Sequence, residues 1–377
     1  DLEQLEQEVL EKVGVTAEPY QSIINPLNNG AIARQIEETD PETPKTSPYA
    51  SFPAAWVNNA DILTRFAEEK TAMSAKKLIK TYFVGAYAKP TNPILVINEQ
   101  IDNKYFGWKW HDFTIEFYEN DLETFKLSAL DNIDCVAHLA AQTSVPKSIS
   151  NFYASSHSNL IGSINVLDFC KSNQIPLVFA SSASVYGNLP FGDDSKENTE
   201  LLSPYSVDKY STELFARMTN KTFGLSSIAL RFFNVYGERQ DPKSKYSGVI
   251  SIFIDRMLKK EEVTIYGGAQ TRDFIYVEDV IRTIYRAIQE VLNKNQFDHF
   301  NVLTGRSVSI NHLFKILSDS LNYSISPILE DYIIGDPKKS SGSIKKLINK
   351  LGVDLETFTS LEDGLLRTIQ SVSNKEK

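Results

Sequence analysis

The sequence predicts an α/β protein: a doubly wound, mostly parallel sheet followed by a smaller C-terminal lobe. Three observations predict it. From about residue 79, short apolar runs rich in β-branched and aromatic residues alternate with helical stretches, the pattern of strands joined by crossover helices. After about residue 239 the alternation loosens into loops and shorter helices, as in a lobe that closes over a ligand. The 377 residues are 42% hydrophobic and 23% charged, enough apolar material for two or three domains' worth of core.

Residues 1–72 read as an extension. "DLEQLEQEVLEKVGV" is an amphipathic helix with Leu2, Leu5, Val9 and Leu10 on one face. "EETDPETPKTSPYASFP" is acidic and rich in Pro, Ser and Thr, so it reads as a linker. We divide the rest into a main domain, 73–238, and a lobe, 239–377, with 271–300 returning to the main domain. Six strands are expected: "IKTYFVGA", "PILVI", "FTIEFYE", "CVAHLAA", "PLVFASS" and "SIALRFFNVYG". Helices are expected over "DLETFKLSALDN", "FYASSHSNLIGSINVLDFCKSN" and "SPYSVDKYSTELFARMTNKTF".

The first βα unit is atypical. A parallel crossover needs a dozen or more residues, and Phe83 and Pro93 lie too close for one. The unit is either cut down or built differently. Among the first 110 residues the glycines are Gly14, Gly30, Gly85 and Gly107, and no two have the spacing of a phosphate-cradling turn.

Charge and cysteine content narrow the function classes. A net charge of -9 without a basic block argues against a nucleic-acid partner. No apolar stretch approaches the roughly 18 residues of a membrane span. Cys135 and Cys170 sit in apolar surroundings and read as buried free thiols, which suits a reducing cytoplasm. No metal-ligand pattern is read.

The chemistry concentrates in "FASSASVYG" and "SPYSVDKY". The first is a strand ending in Ser181 and Ser182, hence at the rim where open parallel sheets bind ligands. In the second, Tyr205 and Lys209 are four apart on one helix face. A phenol beside an ammonium is favoured as phenolate, so its pKa is expected to fall toward neutrality. With a serine relay, the pair can take a proton from a substrate hydroxyl. Tyr105 and Lys109 in "YFGWK" have the same spacing but follow no strand and have no serine partner. The alternative reading of Tyr205 and Lys209, an exposed helix pair, sits poorly with the strand and the serines.

Seven stretches together are similar to the extended short-chain dehydrogenase/reductase family: "DCVAHLAAQTSVPKSI", "SNLIGSINVLDFC", "FASSASVYGN", "PYSVDKYSTEL", "LRFFNVYGERQDP", "YSGVISIF" and "QTRDFIYVEDV". Within it they most resemble the nucleotide-sugar 4-epimerases, with a Rossmann-like main domain. The resemblance implies NAD as cofactor and a UDP-sugar as substrate. Tyr205 would be the catalytic base, Lys209 would hold the nicotinamide ribose, and Ser182 would bind the sugar hydroxyl. Asp121 and Leu122 would contact the adenine, and Leu139, Ala140, Ala141, Asn159 and Phe233 would line the cofactor cleft. Glu99, at the end of the second strand, would grip the adenosine ribose. Asn234 and Arg272 would face the diphosphate, and Tyr266 would help enclose the nucleotide base. Ala183 and Ser184 stand where dehydratases and decarboxylating relatives carry acids, which points to 4-epimerisation. Ile333 stands where the family often places an arginine. Two other readings stay open: a catalytically impaired member acting as a binding or regulatory module, and another NAD-dependent nucleotide-sugar oxidoreductase. The family also implies a homodimer through the helix bearing Tyr205 and the one before it.

Overall fold

Connection length sets strand direction. Only residues 85–91 join the strands β1 (Ile79–Val84) and β2 (Asn92–Glu99). That is too short for a crossover helix, so β2 turns back and pairs antiparallel with β1, Val84 opposite Ile94 and Ile79 opposite Glu99. The next strand, β3 (Phe113–Asn120), turns back again and pairs antiparallel with β2. The first unit of the sheet is therefore a meander, the differently built first unit that the short connection after Phe83 led us to expect.

The computed structural model describes residues 133–373, apart from 239, 241, 243–247 and 333–336, together with the paths of β1, β2 and β3. The extension 1–72, Asp121, Leu122, the helix expected at 121–132, Tyr105, Lys109 and Ile333 lie outside the described residues.

Next come β4 (Cys135–His138), α1 (Val145–Ser150), α2 (Phe152–Ser156), α3 (Gly162–Asn173) and β5 (Leu177–Ser182). They lead to α4 (Pro204–Phe223), β6 (Ser227–Phe232), β7 (Asn234–Tyr236), α5 (Val249–Leu258), β8 (Thr264–Tyr266), β9 (Thr271–Tyr276) and α6 (Val277–Asn293). The chain closes with β10 (Phe297–Val302), β11 (Ser307–Ser309), α7 (Ile310–Leu321), β12 (Ile328–Glu330), α8 (Lys345–Leu351) and α9 (Leu361–Ser373).

The main sheet runs β10-β6-β5-β4-β1-β2-β3. From β1 through β4, β5 and β6 to β10 every pairing is parallel. Strand order reverses between β1 and β4, which places a ligand crevice beyond their carboxyl ends. Apolar side chains bury both faces. Val166, Leu167 and Phe169 of α3 and Ala216 of α4 meet Val136, Phe179 and Ala229 on one face. On the other, Ile284, Ala287 and Ile288 of α6 and Leu347 of α8 meet Ile228, Leu230 and Phe300. The lobe has its own core around Phe253, Ile254, Ile265, Leu313 and Leu365, and its own small sheet, β11-β9-β7. Both cysteines are buried and unpaired, as expected. No helix among the described residues is long and apolar enough to cross a membrane.

Candidate active site

Local sequence fixes the helix that carries the phenol. Ser203 caps α4: its Oγ accepts from Ser206 N at 3.1 Å, and Ser206 Oγ accepts from Ser203 N at 3.1 Å. Pro204 at the first turn is pre-set for helix. Such a cap contributes about 1 kcal/mol, and here it holds Tyr205 in the first turn. The Tyr205 backbone N–H also donates to Ser148 Oγ of α1 at 3.3 Å.

At the same rim β5 ends in Ser182, whose Oγ accepts from Ser184 N at 3.1 Å as the chain enters a tight turn. Its hydroxyl also hydrogen-bonds the Tyr205 phenol. Lys209 is buried; its Nζ donates to Ala180 O at 2.7 Å and lies 5.9 Å from the Tyr205 ring centroid. The expected drop in the phenol's pKa is corrected. Burial pushes the Tyr205 hydroxyl up, with only the Ser182 hydrogen bond pulling it back. The ammonium lies over the ring and bonds the main chain, not the phenol oxygen. Burial draws Lys209 down to about 8, against the pull of the neighbouring Asp208 carboxylate.

The expected helix after β4 is broken into pieces. A π-turn, His157–Ile161, separates α2 from α3 and carries Asn159 inward. Asn159 Oδ1 accepts from Gln142 N at 2.7 Å, and its Nδ2 donates to Gln142 O at 3.0 Å. That clamp fixes the segment Leu139, Ala140 and Ala141 as it leaves β4. Beneath it, Ser163 Oγ donates to Asn159 O at 2.6 Å, so His138 Nε2, 3.0 Å away, must be the donor to Ser163. Burial, with Lys209 nearby, holds His138 down to about 3, so it is neutral.

Two charged residues that the sequence reading passed over brace this rim. Glu213 of α4 and Arg231 of β6 form a bidentate pair at 2.9 and 2.6 Å, with both side chains buried. Ser181 donates to Glu213, and Arg231 donates to Tyr186 OH at 2.8 Å. Glu213 follows Lys209 by four, as Lys209 follows Tyr205, and that spacing was the available signal. Ser148, Gln142, His138 and Asp208 also went unremarked.

Phe233 is buried against Val185, Tyr186 and Leu303. Asn234 Nδ2 donates to Asp273 O at 3.0 Å and to Ser340 Oγ at 3.2 Å. Arg272 Nη1 donates to Thr271 O and Pro337 O, at 2.8 and 2.7 Å. Asn234 and Arg272 are thus gathered around the segment 337–340. Tyr266 ends β8 and is largely exposed. Glu99 is a correction. Its register partner is Ile79, the first residue of β1, so it lies at the end of the sheet away from the crevice.

The chain is similar to several known proteins. Residues 101–302 match the NAD dependent epimerase/dehydratase family. A putative UDP-glucose 4-epimerase of Methanocaldococcus jannaschii is 36% identical over 271 residues, 70% of this chain and 85% of that protein. The crystal structure of a Thermotoga maritima UDP-glucose 4-epimerase with UDP-glucose shares 34% identity at a TM-score of 0.63, covering 68% of this chain and 82% of that one. A Bacillus cereus UDP-glucuronic acid 4-epimerase, solved with UDP-glucuronic acid and NAD, shares 29% identity at a TM-score of 0.62, over 68% and 81%.

Proposed function

This chain belongs to the NAD dependent epimerase/dehydratase family, and we propose that within it the protein catalyses the 4-epimerisation of a UDP-sugar. The observation that carries the reading is the rim where Ser182, Tyr205 and Lys209 converge and the two residues after Ser182 carry no carboxylate. A mechanism that only moves a hydride and a proton out and back needs no further acid.

The residues fit one end of the family's cofactor well. Lys209 is a buried ammonium whose one hydrogen bond among the described residues goes to Ala180 O, so donors remain for a ribose hydroxyl. Leu139, Ala140 and Ala141 offer an uncharged wall. NAD, when bound there, supplies hydride exchange at the sugar C4 and a positive charge beside the phenol that opposes the effect of burial. Ser182 orients the sugar 4-hydroxyl toward Tyr205. Tyr205 takes that proton as the carbon becomes a ketone, and returns it once the 4-keto sugar presents its other face. Hydride and proton both return, so no outside reductant is consumed. Arg272 would pair with the diphosphate, a task suited to a guanidinium fork; Asn234 and Tyr266 would stand beside the phosphates and the base.

Tyr205→Phe tests the reading. Turnover between UDP-glucose and UDP-galactose, or their N-acetyl forms, is expected to fall about 10²–10⁴-fold while NAD stays bound. Unchanged turnover would assign the base elsewhere. The reversed β2 favours a second reading, a member that binds nucleotide sugar without turnover; wild-type protein with no epimerase activity at saturating NAD would select it. We also propose a homodimer. α4 leaves Leu214, Phe215, Met218 and Phe223 partly exposed, and α2 exposes Phe152 and Tyr153, an apolar surface that suits a second copy. Light scattering would read its mass.

A further inference from the structure

We propose that Asn301 is a positioning residue: it ties the turn that follows Ser182 to the segment gathered around Arg272, so that a diphosphate seated there steadies the hydroxyl that meets the sugar. The inference rests on the nucleotide-sugar reading above. Asn301 lies on β10 and is fully buried. It reaches three stretches of chain that are far apart in sequence. Its Oδ1 accepts from Tyr186 OH at 2.7 Å, and Tyr186 ends the tight turn that Ser182 caps. Its Nδ2 donates to Gly192 O at 3.1 Å and to Ser343 O at 3.2 Å. Its backbone N–H donates to Asp194 Oδ2 at 2.8 Å. A side-chain amide has two donor hydrogens, and both are committed here.

The stretches it reaches are also laced to each other. Gly192 N donates to Ser341 O at 2.9 Å, and Ser343 N donates to Gly192 O at 2.8 Å. Close approach requires glycine on both sides of this strap. A Cβ on Gly192 would stand 2.5 Å from the Tyr186 ring, and one on Gly342 would stand 2.8 Å from Gly192 O. Just upstream, Ser340 Oγ takes the Asn234 amide and Pro337 O takes the Arg272 guanidinium. One buried amide therefore joins the segment beside Asn234 and Arg272 to the turn that begins at Ser182. Asn301 acts through Tyr186 and Ser343.

The test is hydrogen exchange of the full chain, read by mass spectrometry with and without UDP, which needs no turnover. In the wild type, UDP is expected to slow exchange several-fold at 337–344 and also at 183–194. In Asn301→Ala the slowing should persist at 337–344 and vanish at 183–194. Tyr186→Phe removes only the bond to Oδ1 and keeps the ring, so it serves if Asn301→Ala does not fold; it should lose the slowing at 183–187 and keep it at 337–344. Wild-type protein that binds UDP without slowing at 183–194 would overturn the proposal. So would a variant whose 183–194 exchanges faster yet still responds to UDP, because Asn301 would then be a structural support alone. Failure of the wild type to bind UDP, read by calorimetry, would instead sink the proposed function, and this inference with it.

Discussion

The two halves of the main sheet solve the same problem differently. From β4 to β10 each strand is separated from the next by a long connection, most of them carrying helices, and every pairing is parallel. The side chains at that rim are then fixed by buried polar bonds: Glu213 with Arg231, Asn159 with Gln142, Ser203 with Ser206. From β1 to β3 the sheet folds back on itself, with both pairings antiparallel and β1 and β2 joined only by residues 85–91. The strand order of a doubly wound sheet survives, and the direction of one strand does not. Order and direction are separable: order follows which strands lie side by side, while direction follows how much chain joins them.

The test that could break this comparison outright is a crosslink. Tyr82 and Val96 are register partners in the antiparallel arrangement. The pair Tyr82→Cys with Val96→Cys is therefore expected to oxidise nearly completely, whereas Tyr82→Cys with Ile94→Cys is not. Mass spectrometry under mild oxidation reads the result, and the reverse outcome would overturn this antiparallel register. The next effect in size belongs to the parallel half. Arg231→Leu leaves Glu213 buried without its partner and should cost about 3–5 kcal/mol in urea unfolding. Arg217→Leu, which breaks an exposed pair with Glu197, should cost under about 1 kcal/mol. Equal losses would mean that the buried pair is not what braces this half.

The smallest effect sharpens the comparison at the crevice. Lys209 has a pKa of about 8 in the folded protein, below its ordinary value, so its ammonium is present below pH 8 and lost above it. Asp208 works to keep that charge, and neutral His138 adds none. If Lys209 holds the ribose as an ammonium, NAD affinity should be flat from pH 6 to 7.5 and fall by up to tenfold per unit above about 8. Lys209→Arg should keep its affinity at pH 9. A profile with no alkaline fall would remove the ammonium from the binding.

The parallel half was legible for concrete reasons. "PLVFASS" is apolar, β-rich and ends in hydroxyls, and "SPYS" is a cap followed by a long amphipathic run, so β5, α4 and the placement of Ser182, Tyr205 and Lys209 could be read directly. The trouble at β2 was also legible, because the gap after Phe83 is too short for a helix. Its resolution was not: the spacing does not show which way the second strand runs, and so does not place Glu99 along the sheet. The phenol's pKa was misjudged because helix spacing shows that Lys209 shares a face with Tyr205 but not that its Nζ is spent on Ala180 O. Glu213 and Arg231 were missed because a charged residue on a helix usually faces water, and only the packed sheet shows that these two do not.

The π-turn at His157–Ile161 carries a consequence for how the chain tolerates length changes. A π-turn is in effect one residue too many for an α-helix, and each α-helical residue advances about 100° around the axis. That surplus lets α2 turn Phe152 and Tyr153 outward while α3 turns Leu167 and Phe169 inward. Deleting one amino acid there would straighten the rod and swing the Asn159 amide away from Gln142. The excised atom count would be trivial; the segment leaving β4 would lose its clamp.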